Sequence, residues 1–278
     1  MTAPLAPVLA HLRNEPSRTW SLIITVYGDA IAQRGGSVWL GTLLMFFQAL
    51  DIGDGVVRTA MSRLAADKWL ERKRVGRNSF YRLRSKGLAP FEAAARRIYS
   101  AVPEPWPGYF ELLLPSDNDR QAMQDFGCGM IAPGVWIAPR PVVVEGLRLR
   151  AEGDSLTLRA LATRAWPLTA LGESYARFVV IFTPLRDFLT GGGALLPIEA
   201  MTVRILLIHE YRRIVLRDPL LPRVVLPEDW PGDAARGVCA DIYRAVLVAS
   251  EAWLDEHAID ETNAALPKDP TIFNRFSA

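Results

Sequence analysis

The sequence predicts an α+β chain in three consecutive parts: three helices closed by a basic β-ribbon, a small α/β sandwich, and a helical C-terminal third. Three observations carry this. Apolar residues recur on a helical period through residues 20–64, strand and helix patterns alternate through 109–161, and long helical stripes return after residue 169. The 278 residues are 50% hydrophobic and 22% charged. That composition supports packed cores and excludes global disorder.

The first helix begins near Trp20, capped by Ser17 or Thr19, with Trp20, Ile23, Ile24, Tyr27, Ala30 and Ile31 on one stripe. Gly35 and Gly36 end it. Ser37 is read as the cap of a second helix that buries Leu40, Leu43, Leu44, Phe47 and Leu50, and Asp51–Gly55 breaks the chain again. A third helix, with Asp54 as N-cap, buries Val57, Ala60, Met61 and Leu64 and turns Arg58, Thr59, Ser62 and Arg63 away from the core. All four are hydrogen-bond donors. Arginine grips a guanine edge with two bonds, and hydroxyls suit phosphates or base edges. Trp69–Val75 and Phe80–Arg84 read as strands, with turn residues Gly76 to Ser79 between them. Arg74, Arg77, Asn78, Tyr81 and Arg82 are then expected to hold a nucleic-acid backbone. Three helices followed by a basic hairpin is the element order of a winged helix-turn-helix. Its third helix enters the major groove while the hairpin lies along phosphates or in the minor groove.

Charge agrees with that reading. Residues 1–100 hold 15 lysines and arginines against 7 acids, whereas the remaining 178 hold 17 against 23, so +8 and −6 lie behind the net +2. The densest stretch, Arg72 to Lys86, carries seven cations and no acid. A basic first third on an acidic remainder predicts a polyanionic partner, double-stranded DNA.

A proline-rich connection, Pro103–Gly108, follows a linker helix at Pro90–Ser100. Beyond it, Tyr109–Leu114 reads as a strand, Asp117–Phe126 as a helix capped by Ser116 or Asp117, and Gly134–Pro139 as a strand. Pro141–Leu149 then reads as a helix and Leu156–Leu161 as a strand, which together predict a ferredoxin-like sandwich. Helices are expected at Ser174–Leu189, Pro197–Arg217 and Ala234–Glu256, with Gly191–Gly193 as a turn and a loosely ordered tail after Asp260. The expected domains are thus 1–100, 101–168 and 169–278.

The runs Val38–Leu43 (VWLGTL), Val57–Leu70 (VRTAMSRLAADKWL) and Gly76–Leu83 (GRNSFYRL) resemble the recognition helix and wing of the PaaX family, bacterial repressors of phenylacetic acid catabolism. Trp106–Gly108 and Gly134–Pro139 are similar to that family's central, self-associating domain. The string His209–Arg213 (HEYRR), with Asp218-Pro219, Leu221-Pro222, Leu226-Pro227 and Asp229–Gly232 (DWPG), is similar to its C-terminal signature. Two departures stand out: Lys68 replaces the usual Gly before Trp-Leu, and Asn78 replaces the second Arg that often follows Gly-Arg. The resemblance implies a homodimeric repressor released by phenylacetyl-CoA or a related aryl-CoA thioester.

Competing chemistry is thin. His209-Glu210 is followed by Arg213 rather than a second histidine, so the metalloprotease pattern is absent. Gly191–Gly193 lacks the Lys and Ser/Thr of a phosphate loop, no Gly-x-Ser-x-Gly elbow appears, and three histidines, at 11, 209 and 257, make no metal cluster. Neither cofactor nor metal is expected. The His209–Arg213 string has two readings: an ion-pair network along one helix, or an effector pocket in which Arg204, His209, Tyr211, Arg212 and Arg213 supply donors and an aromatic wall. Cys128 and Cys239 make no disulfide framework, Cys128 reads as a small buried residue, and a reducing cytosol is the expected location. Met1–Pro7 carries no basic segment leading into an apolar core, so no secretory signal is expected. The longest uncharged run, sixteen residues between Arg34 and Asp51, is too short to span a bilayer. The expectation is therefore a non-enzymatic transcriptional regulator. The alternative is a metal-dependent nucleic-acid-processing enzyme, with Asp117 and Asp119 of the middle part as metal-holding carboxylates.

Overall fold

The computed structural model describes residues 10, 18–100, 106–117 and 119–277. Ser17, His11 and residues 103–105 of the Pro103–Gly108 connection lie outside them. Within them, α1 (Thr19–Val26) runs on through a π turn at Tyr27–Ile31 and a 3-10 turn at Ala32–Arg34. Arg18 occupies the cap position and Thr19 is already helical, so Thr19 does not cap this helix. Ile23, Tyr27, Ala30 and Ile31 are buried as the periodicity predicts, together with Leu22 and Val26; Trp20 falls off that face and is 39% exposed.

Ser37 does not cap a helix. Ser37–Trp39 forms a short strand, β1, and α2 begins after it at Leu40–Gln48. The reason is pairing: the backbone of residues 37–39 binds antiparallel to residues 80–82, partners that a sequence window around Ser37 does not contain. Next come α3 (Asp54–Ala66), β2 (Leu70–Val75), β3 (Asn78–Leu83) and α4 (Ser85–Tyr99). The three strands form one antiparallel sheet in the order β1-β3-β2. Val75 pairs with Asn78, so the hairpin turn is only Gly76-Arg77. Gly76 sits at φ +58°, the left-handed conformation that a two-residue hairpin turn demands and that glycine adopts without steric cost.

Lys68, between α3 and β2, also lies in the left-handed region, at φ +63°. Its side chain is strained there by about 1 kcal/mol, which gives a physical reason for glycine at this position. Lys68→Gly is expected to raise stability by about 0.5 kcal/mol once the added freedom of the unfolded chain is subtracted. A urea melt checks this, with an unchanged m-value and a higher midpoint as the expected result.

The middle segment holds β4 (Phe110–Pro115), α5 (Arg120–Asp125), β5 (Gly129–Ala132), β6 (Val135–Ala138), β7 (Gly146–Ala151) and α6 (Ser155–Ala165). Its sheet is antiparallel in the order β5-β6-β4-β7. Leu113, Met123, Cys128, Trp136 and Ala138 form its core. Two expected elements are exchanged. The helix expected over Pro141–Leu149 is loop followed by β7, and the strand expected over Leu156–Leu161 lies inside α6. Val142–Val144 and the Leu-Arg alternation of β7 favour extended chain. Asp154 accepts from the Thr157 amide and starts α6. The second helix therefore follows the fourth strand rather than connecting the third strand to the fourth.

Long helices complete the chain: α7 (Leu168–Thr190), α8 (Pro197–Val215) and α9 (Gly232–His257). None of the helices among the described residues is long and apolar enough to cross a membrane. The chain separates into two compact units, one of residues 1–101, 178–216 and 234–278, the other of 102–177 and 217–233. The N-terminal helices and the C-terminal helices thus share a unit, where three consecutive blocks were expected. The tail is not loose either. Leu266, Ile272, Arg275 and Phe276 are buried, and Phe276 packs against Tyr99 and Tyr243.

What ties this unit together is a buried ionic cluster at the π turn. Asp29 accepts from Arg204 Nε (2.5 Å), Arg275 Nη1 (2.8 Å), the Tyr99 hydroxyl (2.5 Å) and the Tyr243 hydroxyl (3.0 Å). Arg204 also donates to Glu251 at 2.6 Å, and Arg34 donates to Glu251 and Asp255. Burial pushes the Asp29 carboxyl up, but the two guanidiniums and the Tyr99 hydroxyl outweigh it and hold the group below the usual carboxylate range.

Candidate nucleic-acid interface

The face of α3 follows from its spacing. Val57 and Met61 are fully buried and Leu64 nearly so, each contributing about 1.5–3 kcal/mol to docking the helix. Arg58, Thr59, Ser62 and Arg63 are exposed on the other side. The side chains of Arg58 and Arg63 are 56% and 76% exposed, and each lies 3.9 Å from an acid one turn away, Asp54 and Asp67 respectively. Those are solvent-screened contacts that phosphate or base edges can replace. Thr59 uses its proton on the Gly55 carbonyl and keeps acceptor capacity.

The ribbon has two unlike faces. Strand alternation and the pairing register put Leu70, Arg72, Arg74, Ser79, Tyr81 and Val38 on one face, and Ser37, Lys73, Phe80 and Arg82 on the other. On the first face the base is apolar, with Leu70, Tyr81 and Val38 buried, while the tip is cationic. Arg72 donates to Ser79 Oγ (2.9 Å) and Arg74 to the Gly76 carbonyl (3.2 Å), which aligns both guanidiniums along the exposed tip beside Arg77.

This divides the expected ribbon contacts. Arg74, Arg77 and Asn78 are exposed. Tyr81 is 3% exposed and is a core residue, with its carbonyl accepting from the Tyr27 hydroxyl at 2.9 Å. It does not face solvent, because the helices cover the base of that sheet face. Arg82 is half exposed but lies on the other face, paired to Glu261 at 2.7 Å. Arg72, not among the expected contacts, lies on the same strand face as Arg74, as the two-residue alternation of the sequence allows.

Residues 18–87 match the family model described as PaaX-like protein, and residues 166–256 match that of the PaaX-like protein C-terminal domain. A relative from Escherichia coli (strain K12), transcriptional repressor PaaX, is 34% identical across 92% of this chain and 89% of its own length. The chain belongs to the PaaX family. An uncharacterized protein from Mycobacterium tuberculosis superposes with a TM-score of 0.49 over 77% of this chain and 90% of its own, at 23% identity.

The residues expected to bind an effector in this PaaX-family chain do not converge. Arg204 is fully buried and committed to Asp29, Glu251 and Ser250. His209 is buried against Thr25, and Tyr211 packs among Phe178 and Phe276. Arg213 pairs with Glu210 at the surface, as the ion-pair reading expected. Arg212 lines a cavity. That cavity, about 270 Å³, is walled mainly by Trp69, Phe91, Ile98, Tyr99 and Ile208. Gly28 makes room for it: a Cβ there would stand 2.7 Å from the Phe91 ring. Arg212 bonds Ser21 through Nη2 (2.7 and 3.0 Å), while its Nε finds no protein acceptor.

Burial, aided by Arg212 and Arg213, pushes the His209 imidazole down to about 3. Below the unfolded value near 6.5, the unfolded chain takes up a proton that the folded chain refuses, so stability falls as pH drops from about 6.5 toward about 3. The slope expected from this group is at most about 1.4 kcal/mol per pH unit. Urea melts between pH 7.5 and 4.5 should show it, and His209→Gln should flatten it.

The nuclease alternative finds no support. Asp119 caps α5 by accepting from the Gln121 and Ala122 amides (2.9 and 3.1 Å), a role expected of Asp117 or Ser116. Asp117 is exposed. Among the described residues no group of three or more His, Cys, Asp and Glu is placed to hold a metal ion. Cys128 is buried as expected, and burial pushes its thiol up to about 11.

Proposed function

We propose that this protein is a DNA-binding transcriptional repressor in which residues 18–83 act as a winged helix-turn-helix. The observation that carries the reading is the exposed face of α3 bearing Arg58, Thr59, Ser62 and Arg63, in the same sheet-and-helix assembly as a ribbon tipped by Arg72, Arg74 and Arg77. Family membership and a 34% identical relative that is a transcriptional repressor support it. In this reading α3 reads base edges in the major groove, and the ribbon tip, with Asn78, holds phosphates.

The finer reading is a cytoplasmic homodimer released from its operator by an aryl-CoA thioester such as phenylacetyl-CoA. The cavity beside Arg212 supports an aryl group as the buried end: it is apolar, has an aromatic wall, and offers one cation edge to a thioester oxygen. A volume of about 270 Å³ suits the acyl end and leaves the nucleotide end outside. The cavity joins α1, α4 and α8, so occupancy biases the helix that carries the π turn against the one that follows the wing. The middle unit, which we read as a rearranged ferredoxin-like sandwich, supplies the dimer contact. Its edge strand β7 leaves Leu147 and Leu149 69% and 59% exposed, with one hydrogen-bonding side unpaired.

A gel-shift titration on the protein's own upstream duplex tests this reading. Retention of the duplex, release by phenylacetyl-CoA and no release by free phenylacetate are expected. Absence of any duplex binding would remove the repressor reading, and binding insensitive to the thioester would remove the effector reading alone.

A further inference from the structure

The C-terminal segment after α9 packs against the β1 edge of the wing sheet, against α2 and against the 3-10 turn. The amide of Trp39 donates to the Ile259 carbonyl (3.0 Å), the Thr42 hydroxyl donates to the His257 carbonyl (2.7 Å), and Arg34 donates to the carbonyls of Leu266 and Pro267 (3.1 Å each).

At the centre of the contact is one carboxylate. Glu261, 13% exposed, accepts from the Ser37 hydroxyl on β1 (2.6 Å) and from Arg82 on β3 (2.7 Å), and lies 3.9 Å from Lys73 on β2. A single anion thus reaches all three strands. Arg82 is held further by the Gly35 carbonyl at 3.1 Å. The hydroxyl of Ser37 and the guanidinium of Arg82 hold the Glu261 carboxyl near 2, so it is charged at every pH the protein meets.

We infer that Glu261 is a positioning residue for DNA binding: an internal counter-anion that occupies Arg82, removes it from the phosphate-contacting set, and leaves Arg72, Arg74 and Arg77 to make the ribbon's main contacts. The inference rests on the DNA-binding reading and adds that the ribbon is selective in which cations it offers. A phosphate meets a ribbon whose central outer guanidinium is already paired, so the hairpin engages mainly through its inner face and tip. Restricting the contacts to one face fixes the angle at which the ribbon lies on the backbone, and with it the register of α3 in the groove.

The experiment is a duplex-binding titration over salt with the full chain, on its upstream DNA and on an unrelated duplex. Parent, Glu261→Gln, Arg82→Ala and the double variant are compared, with a thermal melt of each. Glu261→Gln is expected to steepen the dependence of log K on log salt by about one and to raise affinity for the unrelated duplex on the order of tenfold at low salt. Arg82→Ala alone is expected to leave the salt slope of the parent unchanged, and in the double variant to remove most of the gain. Either an unchanged slope in Glu261→Gln or a slope reduced by about one in Arg82→Ala overturns the inference, because Arg82 would then already be a phosphate contact. The Arg82→Ala arm decides even if Glu261→Gln folds poorly. Failure of the DNA-binding reading is distinct: the parent itself would not bind duplex.

Discussion

Asp29→Asn is expected to cost the fold about 3–5 kcal/mol. The substitution keeps the size of the side chain and removes its charge, which leaves Arg204 and Arg275 buried with one fewer compensating anion. Arg204 is fully buried and Arg275 nearly so, and both are held well above the ordinary arginine range by the anions and tyrosines around them. Glu251 still serves Arg204, but Arg275 has no other carboxylate partner among the described residues. The loss is also one of assembly. Asp29 comes from the π turn after α1, Tyr99 from α4, Arg204 from α8, Tyr243 from α9 and Arg275 from the tail, so the cluster joins five separate segments of the chain. Equilibrium denaturation gives the number. A loss of about 3 kcal/mol or more is the expected result, and one below about 1 kcal/mol would mean that water reaches the cluster.

Arg63→Ala and Arg77→Ala are expected to weaken DNA binding in different ways. Arg63 sits on the exposed face of α3, held only by a 3.9 Å contact to Asp67. As a base reader it should be worth about 1–3 kcal/mol, lost mainly at one base pair, so that discrimination there relaxes while the salt slope changes little. Arg77 sits at the hairpin turn beside Gly76. As a phosphate contact its removal should weaken all duplexes alike and reduce the salt slope by about one. Anisotropy titrations on a matched set of single-site duplex variants, at three or more salt concentrations, separate the two. If both substitutions lower affinity uniformly and change the slope equally, α3 is a second phosphate clamp and not a reader.

Local pattern carried much of the fold. The stripe Val57, Met61, Leu64 located α3 to within a residue at its start, and the alternation through residues 70–83 located both ribbon strands. What escaped depended on distant partners. β1 is three residues long and exists because β3 pairs with it. Tyr81 looks like an outward residue in its own strand, and is buried because helices cover the sheet base. Arg204 looks like a free donor on α8, yet its acceptor Asp29 lies 175 residues away. Glu261 sits in a stretch whose composition suggests a loose tail, and its partners belong to the opposite end of the sequence. In the middle segment the miss was of another kind: Val142–Val144 and the cap at Asp154 were signals present in the sequence, and weighing them would have placed β7 and α6 correctly.

The central claim is geometric, and a photo-cross-link from Ser62→Cys on α3 tests it most directly. Cys128 and Cys239 are buried and their thiols are pushed up by burial, so a new exposed thiol at position 62 takes the reagent selectively. With a short cross-linker on that thiol and the upstream duplex bound, cross-links to bases on their major-groove edges, inside the protected segment, are the predicted result. Protection of the duplex with no cross-link to any base would place α3 away from the groove and contradict the account.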